Sequence, residues 1–143
     1  MHPSQSAARA PDLTAAHHLL RHAGLRPTRP RLRLAWLLFC HGPRHVSAEM
    51  LASEVAATGF AVAQGTIYNA LNAFARAGLV REVVIDGERT WFDTHVAPHH
   101  HMVDAAGHLH DIPADVVSLG NLPPLPAGQE IASVELVVRL RPK

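Results

Sequence analysis

The hydrophobic period of this sequence changes near residue 79, and that change narrows the possible folds. Up to residue 76, apolar side chains recur every three or four residues in four segments, which predicts four helices. From residue 79 to 94 the pattern becomes extended, and two strand-like segments, 79–85 and 89–94, flank Asp86-Gly87, a strong hairpin signal. Three successive helices followed by a two-stranded hairpin are the element order of a winged helix-turn-helix.

Capping signals place the predicted helices along the chain. The first covers residues 14–22 and is followed by Gly24. Thr28 and Ser47 are suitable N-cap residues for the second and third helices. The fourth begins near residues 64–66 and is followed by a glycine placed for the left-handed position. Its apolar positions, which predict a core-facing side, are Ile67, Ala70, Leu71 and Phe74.

The composition shifts after residue 95, which indicates a second folding unit. Residues 99–103 and 108–112 predict two short strands around Ala106-Gly107, and residues 113–118 predict one or two helical turns. Residues 130–140 alternate strictly between apolar and polar side chains, which predicts a strand with one buried face. We therefore expect an α+β fold with a winged helix-turn-helix DNA-binding domain at residues 1–94. A small α/β dimerisation and sensing domain follows at 95–143, and because it is too small for a large core, we expect a homodimer.

Charge divides the chain in the same way. Residues 1–81 hold nine arginines against three acidic residues, a net charge of +6, while residues 82–143 carry −5. A basic half favours a polyanion, and an acidic half that contains a histidine run favours a cation. The single cysteine, Cys40, excludes an internal disulfide and any zinc site built on paired cysteines, such as a structural four-cysteine site. No apolar run is long enough for a membrane helix, so a cytoplasmic location and no membrane partner are expected.

The fourth predicted helix is the candidate recognition helix for double-stranded DNA. Its non-core face is polar and free of acidic residues, which suits hydrogen bonding to base edges in the major groove. The arginines around the start of the second helix are candidates for phosphate contacts, which set affinity rather than sequence preference. The candidate DNA-binding residues are Arg26, Thr28, Arg29, Arg31, Gln64, Thr66, Tyr68, Asn69, Asn72 and Arg76.

The run His99-His100-His101 is the core of a candidate metal site. Residues i and i+2 of a strand point the same way, so His99 and His101 can bind one ion while His100 points elsewhere. Asp93 and Asp111 lie close in sequence. A histidine near the start of the third helix can contribute from the DNA-binding domain. The candidate ligands are His45, Asp93, His99, His101 and Asp111, a set that suits Fe²⁺, Mn²⁺ or Zn²⁺.

Two other classes of function fit the histidines less well. A metallohydrolase would also use two histidines and a carboxylate, but the chain has no His-Glu-x-x-His or glycine-rich phosphate loop, and the basic half would be unexplained. A metal or haem buffer would not need the polar helix face. The chain is therefore predicted not to be an enzyme.

Taken in order, several motifs resemble the ferric uptake regulator family, and the resemblance covers about residues 14–143. The motifs are Arg26-Pro27-Thr28-x-x-Arg31, His45-x-Ser47-Ala48-Glu49, Gly65-Thr66-Ile67-Tyr68-Asn69-x-Leu71 and Phe92-Asp93 followed by the histidine run. The resemblance implies a dimeric winged-helix transcription factor whose regulatory metal site falls on the five ligands named above. It also implies that Tyr68 is the recognition-helix tyrosine.

The sequence lacks Cys-x-x-Cys pairs and carries a triple histidine, and in both respects it resembles the iron response regulator branch of that family. The branch implies a repressor that acts when iron is scarce and is released from DNA by haem bound at His99, His100 and His101. The alternative is a metal-corepressed sensor that binds DNA when loaded with iron, manganese or zinc. The two modes predict opposite effects of the effector on DNA binding.

Overall fold

A computed structural model of the chain describes residues 11–85 and 89–143. Its contacts divide the chain into two compact units, one ending at Val96 and the other beginning at Ala97. This division lies two residues beyond the predicted domain boundary. Among the described residues, no helix is both long and apolar enough to cross a membrane.

The first unit contains four helices and a small antiparallel sheet, so the predicted α+β class and element order are confirmed. The predicted turn at Asp86-Gly87 lies outside the described residues, but the strands on either side of it pair in one antiparallel sheet, whose order is β1 (His45–Val46), β3 (Thr90–Asp93) and β2 (Arg81–Val84). The helices are α1 (Thr14–His22), α2 (Arg29–Phe39), α3 (Ala48–Ala57) and α4 (Gln64–Arg76).

Local interactions explain where these helices begin and end. The Thr28 hydroxyl accepts a hydrogen bond from the Arg31 backbone N–H at 3.4 Å, and the Ser47 hydroxyl accepts one from Met50 at 3.2 Å. Gly78, after α4, has a φ of +76°, which an L side chain rarely adopts. All four predicted core positions of α4 are buried. The predicted caps and core face are confirmed.

The core of the first unit lies between the helices and the sheet. Its largest fully buried side chains include Phe74, Phe92, Leu34, Leu38 and Leu51. Each such side chain contributes about 1.5–3 kcal/mol when it leaves water. This packing holds α4 by its apolar side and leaves its polar side outward.

Strand β1 has no counterpart among the predicted elements, because two residues are too short to show a period. It pairs antiparallel with β3, so that His45 lies opposite Asp93 in the register. The sequence predicts His45 at the start of the third helix, before Ser47. The structure agrees with that position, three residues before α3 begins, and adds that His45 lies in a strand.

The second unit is a three-stranded sheet in the order β5-β4-β6. The pair β4–β5 is antiparallel, as predicted, and the pair β4–β6 is parallel. Gly107 lies in the turn between β4 and β5 with a φ of +87°. A single 3-10 turn, Ala114–Val116, replaces the one or two helical turns expected there. The strands are β4 (His100–Val103), β5 (Leu109–Ile112) and β6 (Val137–Arg139).

The prediction of one long strand with a buried face at residues 130–140 is wrong. Only Val137–Arg139 form a strand, and Val134 and Leu140 are 39% and 47% exposed. The physical reason is that β6 is an edge strand paired only with β4. On the alternating apolar face, Leu136 and Val138 are only partly buried, and Ala132, Val134 and Leu140 are exposed.

Candidate metal centre and nucleic-acid interface

The β4–β5 hairpin brings three of the predicted metal ligands together. The register places His101 opposite Asp111. Nε2 of His99 lies 3.2 Å from Oδ1 of Asp111, and Nε2 of His101 lies 3.6 Å from the same oxygen. The two imidazole rings are 4.5 Å apart between centroids. His99 lies one residue before the strand, yet both rings reach the same carboxylate, as the i, i+2 spacing predicts.

The environment of His99 leaves one ring nitrogen available as a ligand. Its Nδ1 is 2.7 Å from the carbonyl oxygen of Ala97, and a carbonyl only accepts, so Nδ1 carries the proton. Nε2 faces Oδ1 of Asp111 at 3.2 Å, a contact in which a metal ion can take the place of a proton. A metal-binding histidine commonly has its other N–H donated to a carbonyl or carboxylate in this way, which fixes its tautomer.

The distances and burial suit a divalent ion. Two ligands at about 2.0–2.1 Å from a tetrahedral ion lie about 3.3 Å apart, and the observed separations of 3.2 and 3.6 Å bracket that value. His99 and His101 are 2% and 5% exposed. Two imidazoles and a carboxylate are a donor set for Fe²⁺, Mn²⁺ or Zn²⁺.

The first unit brings the other two predicted ligands, His45 and Asp93, together as opposite residues of β1 and β3. Asp93 is fully buried, and its Oδ1 accepts a hydrogen bond from the backbone N–H of His95 at 2.8 Å. A buried carboxylate is stable only with hydrogen bonds or a cation near it. That these two residues share an ion with the histidines stays a prediction.

His100 has a different role from its two neighbours. Its Nδ1 accepts a hydrogen bond from the backbone N–H of Leu136 at 3.0 Å, and the residue is 7% exposed. This bond attaches the segment before β6 to β4. No local sequence pattern indicates this contact, because its partner is 36 residues away.

Every predicted DNA-binding residue of α4 is exposed, whereas its opposite side is buried. A surface pocket of about 330 Å³ links this helix to the start of α2. Two arginines and three polar side chains line it, a composition that suits a sugar-phosphate backbone. The five predicted residues that line the pocket are Arg26, Thr28, Arg31, Thr66 and Asn69.

The remaining predicted DNA-binding residues do not line this pocket. Arg29 lines a neighbouring one with Arg33. Gln64, Tyr68, Asn72 and Arg76 lie elsewhere on the exposed side of α4. The Tyr68 hydroxyl donates to Oε1 of Glu49 on α3 at 3.4 Å, a contact that the sequence does not predict.

The first unit exposes the polar side of one helix, and the second unit is a small sheet with a histidine–carboxylate cluster. Together these two features define the class of metal-responsive transcription regulators. The family model described as "Ferric uptake regulator family" matches residues 22–135. The chain belongs to the ferric uptake regulator family. Members of this family are transcription regulators, not enzymes.

Relatives in sequence carry the same family name. A ferric uptake regulation protein of Pseudomonas fluorescens is 37% identical over 86 residues, which span 59% of this chain and 70% of that protein. One of Pseudomonas aeruginosa is 38% identical over 85 residues, which span 59% of this chain and 63% of that protein. The matched part of the P. aeruginosa relative is thus less than two thirds of its length.

Solved structures extend the likeness over most of the chain. The ferric uptake regulator from Pseudomonas aeruginosa, solved with manganese, is 27% identical, with a TM-score of 0.65 over 90% of this chain and 98% of that one. The Vibrio cholerae ferric uptake regulator is 25% identical, with a TM-score of 0.67 over 87% of this chain and 98% of that one. The α+β architecture expected from the sequence agrees with both.

Proposed function

We propose that this chain is a homodimeric repressor of the ferric uptake type, which binds operator DNA when a divalent metal ion is bound. The observation that carries the proposal is the convergence of His99 Nε2, His101 Nε2 and Asp111 Oδ1 on one hairpin. The exposed polar side of α4 and the arginine-lined pocket beside it supply the DNA-binding surface. The manganese in the P. aeruginosa structure supports a first-row divalent ion as the effector.

His45 and Asp93 complete the coordination in this proposal. Asp93 precedes His99 by only six residues, so a short connection joins the two pairs of proposed ligands. An ion held by residues of both units favours one arrangement of them and thereby couples metal binding to DNA binding. In this proposal the bound ion would supply the positive charge and the fixed geometry that hold the ligands together, and the ligand side chains would select which ion binds.

Metal corepression has better support than release by haem. The distances around Asp111 match the edges of a small ion's coordination shell, and His100, one of the three residues implied for haem, holds the Leu136 backbone. Haem binding at His99, His100 and His101, with repression under iron scarcity, is the second mode. Both modes need the winged helix, and they differ in the effector, in the residues that bind it and in the sign of the response.

The test is a mobility-shift titration of the full chain on a promoter fragment from an iron- or haem-related gene. Mn²⁺ or Fe²⁺ is added in one series and haem in another. We expect the metal to create the shift, and the variant His99→Ala/His101→Ala to lose that response. His17→Ala/His18→Ala, which removes two exposed histidines of α1, is the matched control and should respond like the wild type.

The opposite pattern has a definite meaning. If haem abolishes the shift, Mn²⁺ has no effect and His99→Ala/His101→Ala resists haem, metal corepression is wrong and the haem mode replaces it. If the protein binds DNA equally with and without either effector, the sensing role fails while the DNA-binding role stands.

A further inference from the structure

A second group of potential metal ligands lies at the turn of the β4–β5 hairpin. Asp104 follows β4, and His108 and His110 follow it four and six residues later. Nε2 of His110 lies 2.9 Å from Oδ2 of Asp104, and Nδ1 of His108 lies 3.3 Å from the same oxygen. Two imidazoles therefore meet at one carboxylate oxygen.

This group is on the opposite face of the hairpin from the metal centre described above. The register pairs His101 with Asp111 and the next residue, Met102, with His110. Adjacent residues of a strand point to opposite faces of a sheet. The two groups therefore cannot share an ion.

The carboxylate of Asp104 is held in place by the turn itself. Its Oδ1 accepts hydrogen bonds from the backbone N–H groups of Ala106 and His108, both at 2.9 Å, which leaves Oδ2 for the imidazoles. The hydrogen bond from His110, followed by that from the His108 backbone, lowers the pKa of this carboxyl. The carboxylate is thus ionised and oriented without any ion present.

We propose that Asp104, His108 and His110 form a second, solvent-accessible site for a divalent ion such as Zn²⁺. The N···O distances of 2.9 and 3.3 Å are close to the ~3.3 Å that separates two ligands of a tetrahedral ion. His108 and His110 have side chains 74% and 55% exposed, so water can fill the remaining positions. Two imidazoles with one carboxylate are a donor set for Zn²⁺ here, as at the centre on Asp111.

The nitrogens of His108 and His110 lie farther from each other than two ligands of one ion do, so binding requires these exposed rings to turn towards each other as well as to lose protons. The ligating nitrogens lose their hydrogens, either to solvent or by transfer to the other ring nitrogen, and the ion takes the place of the two N–H donations to Oδ2. The backbone hydrogen bonds to Oδ1 remain. The ion would join the end of β4 to the start of β5 across the turn.

The test is a Zn²⁺ titration of the full chain by calorimetry, with amide NMR spectra recorded in parallel. We expect His108→Ala/His110→Ala to lose one class of site and to keep the site at Asp111. His99→Ala/His101→Ala should show the reverse, and His17→Ala/His18→Ala should match the wild type. Asp104→Asn keeps the acceptor for the backbone amides but removes the charge, and should weaken the turn site by about tenfold or more.

Two results would overturn this inference. One is an unchanged Zn²⁺ isotherm in His108→Ala/His110→Ala when its amide spectrum shows a folded hairpin. The other is unchanged affinity in Asp104→Asn, which would reduce the site to a pair of surface histidines. If the wild-type chain binds Zn²⁺ at the turn but not at Asp111, the result counts against the proposed function and not against the turn site.

Discussion

Single residues decide how the ring nitrogens of the histidine run are oriented. The Ala97 carbonyl oxygen accepts a hydrogen bond from Nδ1 of His99, and this one contact turns Nε2 towards Asp111. His100, between two candidate ligands, uses its Nδ1 for the Leu136 backbone instead. The run of three consecutive histidines is visible in the sequence, but their separate roles depend on partners, Ala97, Asp111 and Leu136, that only the folded chain brings to them.

The charge of Asp111 is expected to be essential for metal affinity. Asp111→Asn keeps the size of the side chain but removes the anion that both imidazoles approach, so affinity for Mn²⁺ should fall by about tenfold or more. Calorimetric titration measures the loss. Asp115→Asn, an exposed aspartate in the 3-10 turn, is the control and should leave the affinity unchanged. Equal losses in both variants would mean that only net charge matters.

Tyr68 is expected to contribute to sequence-specific binding. Tyr68 is 38% exposed and lies on the polar side of α4. Tyr68→Ala should weaken binding to the operator by roughly 1–3 kcal/mol and leave binding to unrelated duplex nearly unchanged. Fluorescence anisotropy on the two duplexes measures both. A similar loss on both would show that the tyrosine contacts the backbone rather than the bases.

Among the helices and strands, those formed by interactions within a few residues can be predicted from the sequence, and those that depend on a distant partner cannot. The helix at Thr14–His22 and the caps at Thr28 and Ser47 follow from periods and hydrogen bonds within a few residues. Strand β1 exists only because β3 pairs with it, so nothing in His45–Val46 predicts it. The alternation in residues 130–140 predicts a buried strand, but alternation alone does not supply a covering layer.

The N-cap of α3 is expected to be worth about 1 kcal/mol of folding free energy. Ser47→Ala removes the acceptor for the Met50 N–H, a loss that costs about 0.5–2 kcal/mol in comparable caps. Urea unfolding measures the change. Ser53→Ala is the matched control, since Ser53 is exposed within the same helix and alanine has the higher helix propensity. It should be neutral or slightly stabilising, and equal destabilisation by both would refute the capping role.

At the scale of the whole molecule, charge and apolar surface are distributed unequally. The arginines concentrate before residue 82, and exposed large apolar side chains concentrate in the second unit. Apolar exposure on this scale commonly marks a protein interface. The exposed apolar side chains of the second unit are Val116, Leu119, Leu122, Leu125, Ile131, Val134 and Leu140.

DNA affinity is expected to fall steeply with salt. A protein that neutralises several phosphates loses orders of magnitude in affinity over about a fourfold rise in salt. Arg29→Ala should weaken binding to all sequences alike and reduce the slope of log affinity against log salt by about one. Arg141→Ala, in the second unit, is the control. An unchanged slope in Arg29→Ala would remove that residue from the phosphate contacts.

The apolar surface of the second unit is expected to form the homodimer. Val134→Asp would place a charge on that surface, where it could be buried only at a large cost, so the variant should become monomeric. Light scattering after size exclusion measures the mass. Val84→Asp changes an exposed valine of β2 in the first unit and should remain dimeric. A dimer in both would place the interface elsewhere.

The parallel pairing of β4 with β6 has a consequence for the order of folding. The β4–β5 hairpin closes over a short stretch of chain, whereas His101 and its β6 partner Val137 are separated by more than thirty residues. Closing the longer loop costs more entropy, so non-local pairing is the slower event. Because the three clustered ligands and the turn histidines all lie in residues 99–111, we expect the nascent hairpin to capture an ion before the third strand docks.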